Sequence, residues 1–333
     1  MAQGLRESQA DQAAASAMQG KEDELVVEAF PLTFDGYTYA HSRIAFVRGR
    51  PPAPVVLVHA NYAGLKQFDV DQACFLARAG YVGLAVDLYK DLPEYTYADR
   101  DPPADWRPPK PLEEAQRSAL RRHQAGSDAA MDALLRDPAH WRALMAAYLA
   151  AAFGHPAVRP GSAGAIGYCL GGQCLLEQVR AGHQLQAVVS FHGLLHSRPR
   201  HRTEDRRLTL QEYEREVELA PNSYNTRCKV LIEHGDLDSR PGRDPESIAA
   251  WQAEMDAQGV DWCFHRHAQA RHGFALPPWI YSSEYSERAD RRSTLAMLSL
   301  FAEVWPGDPQ YPVEANACGT RLGQHVATTR ARL

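Results

Sequence analysis

The chain has 333 residues, 45% hydrophobic and 23% charged, with a formal net charge of −5 at pH 7. That length holds one large domain or two small ones, and these fractions are ordinary for a soluble globular protein, which sets aside disordered and fibrous classes. The mild negative charge gives no reason to expect nucleic acid or an anionic membrane as a partner, and no run of eighteen successive apolar residues is present to span a bilayer.

Residues 1–24 are rich in Ala, Gln and Ser, carry Glu7 and Asp11, and lack the apolar stretch of a secretory signal. They read as a disordered leader on a cytoplasmic protein. Residues 25–50 alternate and contain Gly36 and Gly49, which predicts a hairpin. From Val55 onward, short apolar runs alternate with amphipathic segments. Strands are expected at 54–59, 82–87, 163–167, 186–191, 229–234 and 260–266. Helices are expected at 66–79, 170–181, 246–258 and 285–303. A Pro-rich connection over 101–112 precedes two helices, about 112–136 and 139–153, expected over the sheet's edge or partly over a site. Wholly apolar strands between helices argue an α/β fold, a mostly parallel, doubly wound sheet with helices on both faces. The tail, 306–333, shows no periodicity. The six cysteines are scattered, with no disulfide or zinc-knuckle spacing, so the thiols suit a reducing compartment.

Gly167-Tyr168-Cys169-Leu170-Gly171 stands where an apolar run, 163–166, meets the helix expected at 170–181. This is a strand, a tight turn and a helix with a thiol at the apex, the layout of a G-x-S-x-G nucleophile elbow with Cys in place of Ser. Gly167 and Gly171 lack a Cβ, so strand and helix can approach around a strained turn. The positive end of the helix dipole favours a thiolate there. A buried structural cysteine would look the same in isolation. Two further signals follow it. The run Val230-Leu231-Ile232-Glu233-His234 enters Gly235-Asp236-Leu237-Asp238, offering two acids on one turn. Then Ala270-Arg271-His272-Gly273-Phe274 follows a strand-like segment. Nucleophile, acid, histidine is the chain order of α/β-hydrolases.

These stretches, together with Asn61-Tyr62-Ala63-Gly64-Leu65, Asp87-Leu88-Tyr89 and Ser190-Phe191-His192-Gly193, resemble the dienelactone hydrolase family, the Cys-nucleophile branch of the α/β-hydrolase fold, over roughly residues 25–305. Against that family, 196–227 looks like an insertion, with one helix expected around Leu208 to Leu219. The resemblance implies that Cys169 is the nucleophile, His272 its base and Asp238, three residues past Gly235, the acid that orients it. It implies an oxyanion hole from the backbone N–H groups of Leu170 and Tyr62, with no cofactor or metal. Members that cleave dienelactone carry a Glu where this chain has Asn61, and arginines that hold the substrate carboxylate. Here Ala275 and Leu276 follow the histidine, and Lys90 lies beside Tyr89. Asn61, Lys90 and Tyr89 are therefore the candidate substrate-binding residues. The expected activity is hydrolysis of a small ester or lactone by a monomer or homodimer, through a thioacyl intermediate. The alternative is a catalytically silent scaffold that binds a ligand or partner, and a third reading makes Cys169 a redox thiol. His192 and His234 read as support and packing. Cys263, His265 and His267 alternate on one strand face, which by itself makes no recognised metal site.

Overall fold

Apolar segments in this chain form strands wherever β-branched residues cluster between glycine and proline turns, and helices wherever apolar residues recur every three to four positions. The computed structural model describes residues 24–102, 113–196, 202–203, 206–207, 222–239, 242–280, 284–308 and 311. The elements in chain order begin with β1 (Leu25–Ala29), β2 (Leu32–Phe34), β3 (Tyr37–Tyr39), β4 (Arg43–Val47) and β5 (Ala53–His59). Helix α1 (Gln67–Ala79) leads to β6 (Val82–Val86), followed by α2 (Glu114–Leu135) and α3 (Pro138–Phe153). Then come β7 (Val158–Tyr168), α4 (Leu170–Arg180) and β8 (Ala187–Phe191). A short ladder, β9 (Arg202–Thr203) with β10 (Arg206–Arg207), precedes β11 (Lys229–Gly235), α5 (Pro245–Gln258), β12 (Asp261–His267) and α6 (Glu287–Val304).

Eight strands form one sheet in the order β1-β4-β6-β5-β7-β8-β11-β12. The pairs from β6 to β12 are parallel, while β1 and β4 add an antiparallel edge. The architecture is the α/β-hydrolase fold. Residues 25–50 make more than one hairpin: β2 and β3 pair around Asp35-Gly36, nested inside the β1–β4 pair that extends the sheet.

Side chains alternate across each strand, so both faces of the sheet are apolar. Val56 and Val58 pack with Phe68 and Phe75 of α1 and Phe301 of α6. Val55 and Leu57 point the other way, with Leu144 and Tyr148 of α3, Leu175 of α4 and Trp251 of α5. Each fully buried aliphatic side chain contributes about 1.5–3 kcal/mol. A third cluster joins Tyr89, Tyr95, Ala130, Leu135, Trp141 and Met145 to Leu170 and Cys174. Through it, α2 and α3 roof the C-terminal end of the sheet's centre.

The leader over 1–23, most of the tail and the helix expected around Leu208 to Leu219 lie outside the described residues.

Candidate active site

The strand order reverses between β5 and β7, whose ladder ends with His59 facing Gly167. Chain leaving β5 winds one way across the sheet and chain leaving β7 the other, so their following loops flank a crevice at the carboxyl ends of the strands. The elbow stands there. Cys169 has φ 55° and ψ −109°, a left-handed conformation that costs a non-glycine residue of order 1–3 kcal/mol. The neighbouring glycines make the turn feasible. A Cβ on Gly167 would lie 2.2 Å from the Gly171 carbonyl oxygen, and one on Gly171 would lie 2.1 Å from that of His59. The Cys169 N–H donates to the Phe191 carbonyl at 3.1 Å, which ties the elbow to the end of β8.

Two other strand ends bring partners to the thiol. Past β11, the Asp238 N–H donates to the Gly235 carbonyl at 2.9 Å, closing the acid turn. That turn lies against the loop after β12, where the Leu237 N–H donates to the Ala270 carbonyl at 2.9 Å. A Cβ at Gly235 would lie 2.8 Å from the Ala270 and Arg271 carbonyl oxygens, so the close approach requires glycine. The result is a hydrogen-bonded series. His272 Nδ1 donates to Asp238 Oδ2 at 2.8 Å, and His272 Nε2 stands 3.3 Å from Cys169 Sγ. Asp236 points elsewhere, pairing with Arg266 at 2.7 Å on the surface.

The electrostatics follow from these contacts. Burial raises the Cys169 thiol, but the His272 charge and hydrogen bond, the Arg243 guanidinium and the Leu170 N–H outweigh it and bring the thiol down to about 7. Burial alone pushes the Cys228 thiol up, and it dominates at Cys74, with help from the Asp71 charge, and at Cys174. For His272, burial opposes the charged form, yet the Cys169 sulfur and the Asp238 carboxylate raise the imidazole above its ordinary value. Asp238 is raised by burial and lowered further by His272 and Arg243, to about 2. The arrangement favours a thiolate beside an imidazolium.

The loop after β5 carries Tyr62, whose N–H is the second expected oxyanion donor. Its neighbours hold it from below. Tyr89 Oη donates to the Tyr62 carbonyl and Tyr95 Oη to that of Ala63, both at 2.8 Å. The Lys66 ammonium, 1% exposed, pairs with Asp69 at 3.1 Å and donates to the Gly64 carbonyl at 3.1 Å. A cavity of about 50 Å³ opens beside this loop, between Tyr62, Lys66, Leu120, His123 and Ile280.

Two expectations need correction here, while Asn61 lines the cavity beside Tyr62. Asn61 is buried, and its Oδ1 accepts from the Ala63 N–H and the Lys66 ammonium, both at 3.0 Å, so it also braces the loop. Tyr89 is likewise buried and spends its hydroxyl on Tyr62. Lys90 is not brought to the site at all. It is exposed, with its ammonium 5.5 Å from the centre of the Tyr37 ring in the N-terminal hairpin. Sequence reasoning missed Lys66 and Arg243. Arg243 lies with its Nε 3.2 Å from Asp238, and only its place shortly before the Asp-Pro start of α5 marks it in the sequence.

His192 packs edge-to-face on His272 with ring centroids 5.1 Å apart, and its backbone is left-handed at φ 43°. His234 is buried against Phe264. On the edge strand, His265 Nδ1 donates to Glu233 Oε1 at 2.9 Å, His267 Nε2 bonds the other Glu233 oxygen, and Cys263 Sγ stands 3.4 Å from His265 Nε2. Among the described residues no group of three or more His, Cys, Asp or Glu side chains is arranged to hold a metal ion. Among them, too, no helix is long and apolar enough to cross a membrane.

The sequence model described as "Dienelactone hydrolase family" matches residues 42–305. An uncharacterised protein of Caenorhabditis elegans is 27% identical over 155 residues, which are 45% of this chain and 85% of that one. Among solved structures, a dienelactone hydrolase-like promiscuous phosphotriesterase from metagenomic libraries is 25% identical with a TM-score of 0.58, the match covering 84% of this chain and 98% of that one. A puromycin-hydrolyzing peptidase of Mycobacterium tuberculosis shares the fold at 14% identity and a TM-score of 0.55, over 86% of this chain and 40% of that one.

Proposed function

The chain belongs to the dienelactone hydrolase family and is a hydrolase, and from that premise we propose that it cleaves a small carboxylic ester or lactone through Cys169. The thiolate attacks the carbonyl carbon. The oxygen that becomes negative accepts from the Leu170 and Tyr62 N–H groups, each such donor being worth about 100- to 1000-fold in turnover. His272, protonated at Nε2, hands that proton to the departing alkoxide as the C–O bond breaks, leaving a thioester on Cys169. Neutral His272 then takes a proton from water, whose oxygen attacks the thioester. Collapse expels the thiolate and frees the acid. Asp238 holds the imidazole in the required tautomer throughout.

The single observation that carries this reading is the hydrogen-bonded series from Asp238 through His272 to Cys169 at the elbow apex. The cavity beside Tyr62 suits a small acyl or alkyl group. The reading stops short of dienelactone specificity, because Asn61 stands where the dienelactone-cleaving members carry a Glu and Lys90 is on the surface. The reading takes the protein as a cytoplasmic monomer or homodimer that needs no cofactor.

The test is turnover of p-nitrophenyl acetate and a panel of small lactones by the full chain during titration with iodoacetamide. Turnover should fall in step with modification of Cys169. Turnover that survives complete modification would remove the thiol from the mechanism. Absence of turnover across the panel, with ligands still bound, would favour the silent scaffold.

A further inference from the structure

The acid loop holds a cation to which the reaction as written gives no part. Arg243 lies five residues past Asp238 and directly before Asp244, whose side chain caps α5. The Arg243 side chain is 7% exposed, and its Nε lies 3.2 Å from the Asp238 carboxylate. Among the described residues, no other hydrogen bond is recorded for the guanidinium, although the group carries five N–H donors. A guanidinium this little exposed needs a counter-charge, and the one it has here is the Asp238 carboxylate that holds His272.

The consequence lies in the sum of charges around Cys169. When the thiol is ionised and His272 is protonated, those two charges cancel. The Asp238 carboxylate then remains, and Arg243 cancels it. Without Arg243 the thiolate would form within a group carrying a net negative charge. Four other titratable groups facing this cluster are neutral near pH 7, and the Asp244 carboxylate beside Arg243 is held by the Ser247 N–H and hydroxyl at the start of α5. Burial lowers His192, at the end of β8, well below the ordinary imidazole value, and His234, on β11, to about 4. Burial raises Tyr89, after β6, and Cys174, on α4. Asp236 is compensated by Arg266.

We propose that Arg243 is a positioning residue of this site: it clamps the Asp238 carboxylate against His272 and supplies the positive charge that lets Cys169 and His272 stand as thiolate and imidazolium. This rests on Cys169 being the nucleophile. The role combines direction with charge. Asp238 is gripped from two sides, by His272 Nδ1 and by Arg243 Nε, so the imidazole has one orientation. An uncharged side chain of similar size could fill the space but could not balance the carboxylate.

The test is the pH profile of iodoacetamide alkylation at Cys169, read by peptide mass spectrometry on the full chain, for wild type, Arg243→Gln and Arg243→Lys. The wild-type midpoint is expected near 7. Arg243→Gln should raise it by about one pH unit, so that alkylation at pH 6 slows roughly tenfold, and Arg243→Lys should restore most of the shift. An unchanged midpoint in Arg243→Gln, with only a lower plateau, would overturn the inference. So would a lysine variant that behaves like the glutamine one. Should circular dichroism show that Arg243→Gln does not fold, Arg243→Lys decides alone: a wild-type midpoint supports the charge role and a raised one overturns it. Failure of the nucleophile reading looks different, since the wild-type thiol would then have no midpoint below that of a free cysteine. That result would take the inference with it.

Discussion

The sheet carries two series of thiol, imidazole and carboxylate with the same connectivity. One runs Cys169, His272, Asp238 across three strand ends; the other runs Cys263, His265, Glu233 across two neighbouring strands at the edge. In each, one ring nitrogen faces sulfur and the other donates to a buried carboxylate. What differs is everything around the sulfur. Cys169 sits at the N-terminus of α4, next to the loop that carries the proposed oxyanion donor Tyr62, in a crevice made by the reversal of strand order. Cys263 lies exposed in the middle of an edge strand. A hydrogen-bonded series is therefore not sufficient for a nucleophile. The elbow supplies a helix N-terminus and stands beside the loop of the proposed oxyanion donor Tyr62; Cys263, within its strand, has no helix N-terminus of its own.

The largest expected effect separates the two sulfurs directly. Cys169→Ala should reduce ester kcat/KM at least ~1000-fold, while Cys263→Ala should leave it within about twofold. Equal losses from the two variants in a steady-state assay would mean that the comparison has been drawn wrongly.

The acids sharpen the contrast. Asp238→Asn should lower kcat by about 100- to 10,000-fold, because the imidazole loses its tautomer and its counter-charge, and should also lower the melting temperature, because Arg243 loses the carboxylate it is paired with. Glu233→Gln should spare turnover: kcat within about threefold, but stability lower by about 1–2 kcal/mol, since a fully buried group bridging two imidazoles loses part of its hydrogen bonding. Thermal melts beside kinetics on both variants would expose a misassignment if Glu233→Gln proved the slower enzyme.

The histidines test activation of the thiol. A thiol held at about 7 ionises as pH rises through that value, so Cys169 alkylation should climb between roughly pH 6 and 8. His272→Ala removes the largest of the influences holding that thiol down, so alkylation near pH 7 should slow by about tenfold. His265→Ala should leave the Cys169 profile in place. Peptide-resolved labelling is needed, because the exposed Cys263 is labelled in the same experiment. Identical Cys169 profiles with and without His272 would remove that residue as activator.

The contrast between the two series also marks what the sequence could convey. Period and punctuation placed the elbow, the acid turn and the His272 loop, and each expected strand from 54 to 266 forms within a few residues. Chain order brought Cys169, the acid turn and His272 together, because each ends or follows a strand of one parallel sheet, and the family resemblance chose Asp238 over Asp236. Contacts that depend on folding back were not legible. Nothing adjacent to Asn61 announces that Lys66 will return to its amide. Lys90 was misread because consecutive side chains on extended chain point to opposite sides: Tyr89 turns inward and Lys90 out to Tyr37. Arg243 left no pattern because it sits in irregular chain, where neither period applies.

The smallest effect concerns the loop that the edge series lacks. Tyr89 Oη donates to the Tyr62 carbonyl at 2.8 Å, and both groups lie under the proposed oxyanion donor. Tyr89→Phe keeps the ring packed with Leu170, Cys174 and Trp141 but deletes that hydrogen bond. A buried hydrogen bond of this kind contributes about 1 kcal/mol, which corresponds to roughly fivefold in rate if the loop relaxes by that amount in the transition state. The loss should appear in kcat rather than KM, because an oxyanion donor acts most strongly once negative charge has developed. It should also leave the Cys169 alkylation profile unchanged, since iodoacetamide develops no carbonyl oxyanion. A fall in alkylation matching the fall in turnover would show instead that Tyr89 supports the thiol itself, and the division between an elbow that ionises sulfur and a loop that receives the oxyanion would no longer hold.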